Sequence, residues 1–286
     1  MRKHKNHILF SATDLNGYIE CRHKTVLSLT DLNTTLAKKK KDAHGELLTK
    51  KGLEHEAAYL QSLKSSGHTL IDIATNDTLE NRARMTQEAM KAGVPYVSQA
   101  ALLKDQWHGF ADLLRRVERP SSLGSYSYEA VDIKLSRQPE PSHIIQLCVY
   151  SDLLEQYQGT APQFFSVVLG KGDERSFQYS DFAQYYLTLK RQFEVYVASP
   201  MHASIPSPCS FCSRCNWQDL CDEQWKKDDH LSQVANIRKS QIDKLENSGI
   251  RTLEGLALLS NNTPIPHLPE ETLAKLKSQA RLQLVK

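Results

Sequence analysis

The sequence predicts an α/β fold: a mixed central sheet flanked by helices, followed by a small C-terminal helical subdomain. Three observations carry that prediction. Hydrophobic periodicity runs in the order helix, three strands, helix, strand, helix, which suits a layered α/β core. The 286 residues are 40% hydrophobic and 24% charged, with 12 Gly and 11 Pro, which excludes disordered, collagen-like and low-complexity chains. From Asp229 onward the pattern is helical again.

Each element has a local cause. Ser11-Ala-Thr13-Asp14 offers N-cap chemistry for a helix carrying Leu15, Tyr18 and Ile19 and ending near Cys21. Lys38–Lys41 reads as a loop. A helix is expected over residues 45–64, with Leu53, Ala57 and Leu60 at core spacing, Gly52, His55 and Tyr59 on another face, and Gly67 as a stop. Another covers 78–91. Residues 94–103, 109–117 and 126–135 read as an antiparallel meander, broken by the turn-rich stretch 118–124. A helix over 143–156 sets Ile144, Leu147 and Cys148 on one side, which makes Cys148 a core residue. The apolar run 164–169 reads as a buried strand. Phe182, Tyr185, Tyr186, Leu189, Phe193 and Tyr196 then mark the core face of a long helix.

No apolar run approaches the roughly 18 residues of a membrane span, and the N-terminus lacks the features of a signal peptide, so the expected location is the cytoplasm, away from membranes. The formal charge is only +3, yet residues 1–51 hold 11 Lys and Arg against 5 Asp and Glu, and the remainder holds 25 against 28. Arg22, Lys24, Lys38, Lys39, Lys40 and Lys41 form a candidate nucleic-acid-binding rim. There is no Gly-x4-Gly-Lys-Ser/Thr loop to drive an ATP motor.

The catalytic candidates are Gly109-Phe-Ala-Asp112 and Asp132-Ile-Lys134. Alternation along a strand puts Asp132 and Lys134 on one side, and Asp112 can join them across the hairpin. Two carboxylates and an ammonium on one patch suit a hard divalent cation such as Mg²⁺. An exposed strand of alternating charge is the plain alternative. Gln146 and Tyr150, four residues apart, share one face of the next helix.

That order, Gly52-x2-His55, Gly109-x-Ala-Asp112, Asp132-x-Lys134, Gln146-x3-Tyr150, resembles the RecB-like branch of the PD-(D/E)xK nuclease superfamily. The resemblance implies a restriction-endonuclease-like core and an Mg²⁺- or Mn²⁺-dependent deoxyribonuclease. His55, Asp112, Asp132 and the carbonyl of Ile133 would be metal ligands and Lys134 the catalytic lysine. Gln146 and Tyr150 would complete the substrate side. Ala111 stands where the superfamily name has Pro, and Asp132 where many relatives have Glu.

Cys209, Cys212, Cys215 and Cys221 crowd into 13 positions, which in a reducing compartment reads as metal ligation. By spacing alone, the four could hold an iron–sulfur cluster or a tetrahedral zinc. The run also resembles iron–sulfur RecB-like nucleases, including AddB-type domains and the CRISPR-associated RecB-type exonucleases. That resemblance implies a [4Fe–4S] cluster on Cys21, Cys212, Cys215 and Cys221, closing the nuclease core, with Cys209 a bystander and zinc the alternative occupant.

The expected domains are a nuclease core over 1–228 and a helical piece over 229–286. In the latter, Asn-Ser-Gly249-Ile250 followed by Thr252 resembles the turn of helix-hairpin-helix modules, although it lacks their Gly-x-Gly. The expected activity is exonucleolytic or end-processing hydrolysis of DNA with single-stranded character, in repair, recombination or CRISPR-type defence, with a helicase or RNase H-like domain as partner. The competing expectations are a non-catalytic iron–sulfur or zinc module that binds nucleic acid beside a helicase, and a zinc-binding interaction protein.

Overall fold

The computed structural model describes residues 1–5, 7–40, 42–199, 204–260 and 263–285. Its contacts divide the chain into two units, residues 1–19 with 41–202, and residues 20–40 with 203–286. Residues 20–40 and 203–228 thus cluster with the C-terminal part of the chain.

The first unit begins with an antiparallel hairpin, β1 (Arg2–His4) and β2 (His7–Leu9), which the periodicity did not predict. Helix α1 (Ala12–Glu20) follows the expected cap, with the Asp14 carboxylate accepting from the Ser11 amide at 2.9 Å and hydroxyl at 2.8 Å. Helix α2 (Arg22–Asp31) belongs to the second unit. Helix α3 (Ala43–Ser65) is capped by Asp42, which accepts from the Gly45 amide at 2.8 Å. Strand β3 (Leu70–Asp72) and helix α4 (Leu79–Lys91) precede the expected meander of β4 (Tyr96–Lys104), β5 (Trp107–Val117) and β6 (Ser127–Ile133). Helix α5 (Pro141–Gln158), strands β7 (Phe164–Val168) and β8 (Glu174–Gln178) and helix α6 (Ser180–Ala198) complete the unit.

The strands form a six-stranded mixed sheet in sequential order from β3 to β8. The meander is antiparallel, and the α5 crossover makes β7 parallel to β6. The α/β fold predicted from the sequence is the fold observed. The short strands β3 and β8 add parallel and antiparallel edges that the sequence reading missed, since three to five residues carry little periodicity.

Helix α5 is buried nearly all round, with Leu147, Cys148, Val149 and Leu154 sealed against the sheet on one side and α6 on the other. Cys148 is thus a core residue. On the opposite face of the sheet, Tyr59, Leu60 and Leu63 of α3 pack against Leu113, Val131, Ile133 and Val168. This corrects the expected core face of α3, because Leu53 is 62% exposed and Ala57 is also exposed. The inward stripe is the one holding Gly52, His55 and Tyr59, together with Glu56. Tyr185 on α6 is likewise exposed rather than core, whereas Tyr186, Leu189 and Phe193 are buried.

In the second unit, α2 is joined by a short 3₁₀ turn (Cys212–Arg214) and by α7 (Gln218–Lys227), α8 (Lys239–Asn247), α9 (Leu253–Ala257) and α10 (Glu270–Leu284). Its core is aliphatic: Leu231, Ile242, Leu245, Leu256, Leu273 and Leu276. Hydrogen bonds join residues 20–40 to the later segment, among them Trp217 Nε1 to Ser28 Oγ at 3.3 Å, His23 Nδ1 with Ser204 Oγ at 2.7 Å, the Lys39 amide to the Asn216 carbonyl at 2.8 Å and Lys39 Nζ to Gln218 Oε1 at 2.6 Å.

Among the described residues, no helix is long and apolar enough to cross a membrane.

Candidate functional sites

A break in strand alternation builds the first site. In β5, Ala111 packs with the α5-side core and Leu113 with the α3-side cluster, although residues two apart on a regular strand share a face. The facing strand slips with it: Val97 and Ala100, three apart, lie in one core, and Gln99 between them has φ +52°. Registered pairs skip from Ser98↔Leu113 to Ala100↔Ala111, and the β5–β6 ladder ends at Leu113↔Val131. Asp112 therefore sits where β5 is released from both neighbours, one step beyond the last pair with β6, and Asp132 occupies the matching position on β6.

The freed carboxylates converge. Asp112 Oδ2 accepts from the Ile133 amide at 2.7 Å and lies 3.6 Å from Lys134 Nζ. Asp132 Oδ1 accepts from Lys134 Nζ at 2.8 Å and from Gln146 Nε2 at 3.1 Å. Gln146 Nε2 also donates to the Tyr150 hydroxyl at 2.9 Å. Hydrogen bonds and ion pairs thus link Asp112, Asp132, Lys134, Gln146 and Tyr150 in one cluster. Gly109 belongs to the same construction, because a Cβ there would meet Tyr150 Cε1 at 2.5 Å.

Electrostatics set the site apart from a solvated strand. Asp132 is fully buried, and its Oδ2 has no hydrogen-bond partner. Burial, then the neighbouring Asp112 carboxylate, push its pKa up to about 8, with Lys134 pulling against them. Burial disfavours the Lys134 ammonium, but the two carboxylates outweigh it and hold its pKa above the usual lysine range. A buried carboxylate oxygen with an open lone pair is a donor suited to a hard cation. Asp112, Asp132 and the Ile133 carbonyl thus have the right chemistry for Mg²⁺ or Mn²⁺. Among the described residues, however, no group of three or more His, Cys, Asp or Glu stands preassembled to hold a metal ion.

His55 lies on the inward stripe of α3, its Nε2 buried and without a hydrogen-bond partner. Among the described residues, no ion pair joins it to Asp112 or Asp132, whose salt bridges go to Lys134. The neighbour of His55, Glu56, which the sequence reading passed over, is electrostatically part of the cluster. Burial and then Asp112 raise the Glu56 pKa, opposed by its bond to Gln99 and by Lys134. Gln99 Nε2 donates to Glu56 Oε1, and the Gln99 carbonyl accepts from Arg82 at 3.2 Å. The one available sequence signal was the polar pair His55-Glu56 beside Gly52. Gln99 was hidden in an apolar strand.

The second site is a cavity within the second unit, lined by Cys21, Cys209, Cys212, Cys215 and Cys221 with Lys24, Phe211 and Trp217. All four expected ligands face one space, and Cys209 joins them, 3.7 Å from Cys212 sulfur to sulfur. Thiol donors suit zinc or an iron–sulfur cluster. Burial raises the Cys21 thiol, lifts Cys212 to about 11 and, with Cys215 adding repulsion, lifts Cys221 to about 12.

The basic residues divide. Lys24 lies over the Phe211 ring at 5.4 Å, Lys38 pairs with Asp31 at 2.7 Å and lies over Trp217 at 5.3 Å, and Lys39 donates to Gln218 at 2.6 Å. These three brace the wall of the thiol unit. Arg22 and Lys40 are exposed, and Lys41 lies outside the described residues.

The turn after α8 contains Gly249 at φ +84°, as its sequence suggests. The first amides of α9 already have partners. Asp229 takes those of Leu253 and Glu254, and the Thr252 hydroxyl takes that of Gly255. No phosphate-binding role follows from this turn.

No protein-family model matches the chain, and no curated protein matches it. Among solved structures it is similar to one described as "Crystal structure of SSO0001", at 14% identity and a TM-score of 0.34, over 77% of this chain and 89% of that chain.

Proposed function

We propose that the chain is a divalent-metal-dependent nuclease that hydrolyses DNA phosphodiester bonds, with the carboxylate cluster as its active site and the thiol cavity as a structural [4Fe–4S] site. One observation carries the catalytic reading. Asp112, Asp132, Lys134, Gln146 and Tyr150 come from two strands, the end of β6 and a helix to one buried patch in which Asp132 Oδ2 remains unpartnered.

Asp112, Asp132 and the Ile133 carbonyl would hold Mg²⁺ or Mn²⁺, which when bound supplies Lewis-acid activation of water and of the phosphate. The remaining work belongs to the chain. Lys134 offsets the two carboxylates and is placed to stabilise charge on a phosphate oxygen. Tyr150, admitted by Gly109, steadies Gln146, and Gln146 orients Asp132. Glu56 adds negative charge beside Asp112. In the second unit, Cys21, Cys212, Cys215 and Cys221 would hold the cluster, with zinc as the other occupant; iron, sulfide and zinc analysis of anaerobically purified protein decides between them.

The competing reading is a non-catalytic iron–sulfur or zinc module that binds nucleic acid beside a helicase. End-labelled single- and double-stranded DNA incubated with Mg²⁺ or Mn²⁺ separates the two. The nuclease reading expects cleavage that Lys134→Ala lowers by about 10³-fold with the circular dichroism spectrum unchanged. Binding without cleavage by the unmodified chain, or cleavage that Lys134→Ala leaves intact, overturns it.

A further inference from the structure

Cys209 is the thiol that the proposed ligand set leaves over, yet it stands in the cavity with the others. Its backbone carbonyl accepts from the Cys212 amide at 3.1 Å, closing a four-residue turn, and its own amide donates to the Cys212 sulfur at 3.3 Å. A turn of this kind keeps the terminal Cα atoms within about 7 Å, overlapping the range a disulfide spans. The sulfurs are already 3.7 Å apart. Both residues are half-buried, so a small oxidant reaches them, whereas Cys215 is buried.

We propose that Cys209 and Cys212 form an oxidation site, at which a peroxide converts the two thiols to a disulfide and withdraws Cys212 from the donor set of the cavity. One thiol sulfur gives two electrons to the peroxide O–O bond, keeps one oxygen as a sulfenic acid and releases water. The second thiol sulfur displaces that oxygen as a second water and forms the S–S bond. Two thiols and one peroxide become one disulfide and two waters. The inference is independent of the nuclease reading and meets the metal reading only at Cys212, for which metal and disulfide compete.

The test uses the full chain, stripped of metal by a chelator, treated with hydrogen peroxide, alkylated and cut with trypsin. Residues 192–214 leave as one peptide holding these two cysteines and no other. The expected product is that peptide two hydrogens lighter and carrying no alkyl group; in Cys209→Ser that product is absent. Two alkyl groups on the peptide, or a cross-link from it to the peptides holding Cys21, Cys215 or Cys221, overturn the proposal. In chain loaded with Zn²⁺, peroxide releases zinc several-fold faster from the unmodified protein than from Cys209→Ser. Equal rates overturn the withdrawal of Cys212. A chain that takes up no zinc but forms the disulfide overturns the metal reading alone.

Discussion

The carboxylate cluster and the thiol cavity solve the same problem, burying acidic groups, in opposite ways. In the sheet, Asp112 and Asp132 share a built-in cation, Lys134, and each has its own amide donor, Ile133 N–H for Asp112 and Gln146 for Asp132, so most of their charge is answered within the protein. One oxygen, Asp132 Oδ2, is not. In the second unit, burial instead keeps Cys21, Cys212 and Cys221 protonated, and thiol pKa values near 11 and 12 mean that a metal entering there displaces protons. The difference teaches where each site is vulnerable. The first depends on geometry across strands, the second on the redox and metal state of its sulfurs.

Asp132→Asn gives the sharpest break. The folded pKa of Asp132 lies above its unfolded value, so the metal-free protein loses stability as pH rises from about 4 towards 8. A neutral amide removes that cost. The variant is expected to lose cleavage by about 10³-fold while its thermal stability at pH 8 rises by roughly 2 kcal/mol, read by calorimetry beside the cleavage assay.

The next largest effect separates the two regions by pH. Burial, followed by repulsion from Arg2, lowers His108 from 6.5 to about 4, so the unfolded chain takes up a proton first and stability falls as pH drops through that window. Urea denaturation of His108→Gln is expected to show an acid limb flatter by up to about 3 kcal/mol. The thiol unit responds at the other end. Cys212 and Cys221 stay protonated in the folded state where unfolded thiols ionise, so the metal-free protein weakens as pH rises above 9 and bound metal suppresses that loss. An alkaline limb identical with and without metal would sink the comparison.

Smaller effects sharpen the carboxylate side. Gly109→Ala forces Tyr150 aside and is expected to cost about 1–3 kcal/mol, with a matching fall in cleavage, because the ring cannot move without releasing Gln146. Glu56→Gln keeps the contact with Gln99 possible but removes charge beside Asp112. A roughly tenfold fall in cleavage, partly rescued by higher Mn²⁺, is the expected outcome. No change would remove Glu56 from the site.

The sequence by itself determined the α/β class, the central meander and the helix after it, and which polar side chains share a face: Asp132 with Lys134 on a strand, Gln146 with Tyr150 on a helix. Those are consequences of short-range periodicity, two residues on a strand and about four on a helix, which any reader of the chain can count. It also brought the cysteines together, since four of them are neighbours in the chain. What it could not decide was anything set by contacts between distant segments. The inward stripe of α3 was misassigned because the helix buries its polar-containing side, and Leu53 is left outside. Glu56 and Gln99 entered the cluster only because alternation slips at Gln99 and Asp112, a long-range strain that no period reveals. Cys209 likewise became a partner of Cys212 through a turn whose closure is a tertiary fact. Local pattern chooses the elements; packing between residues far apart in sequence chooses which side chains face one another.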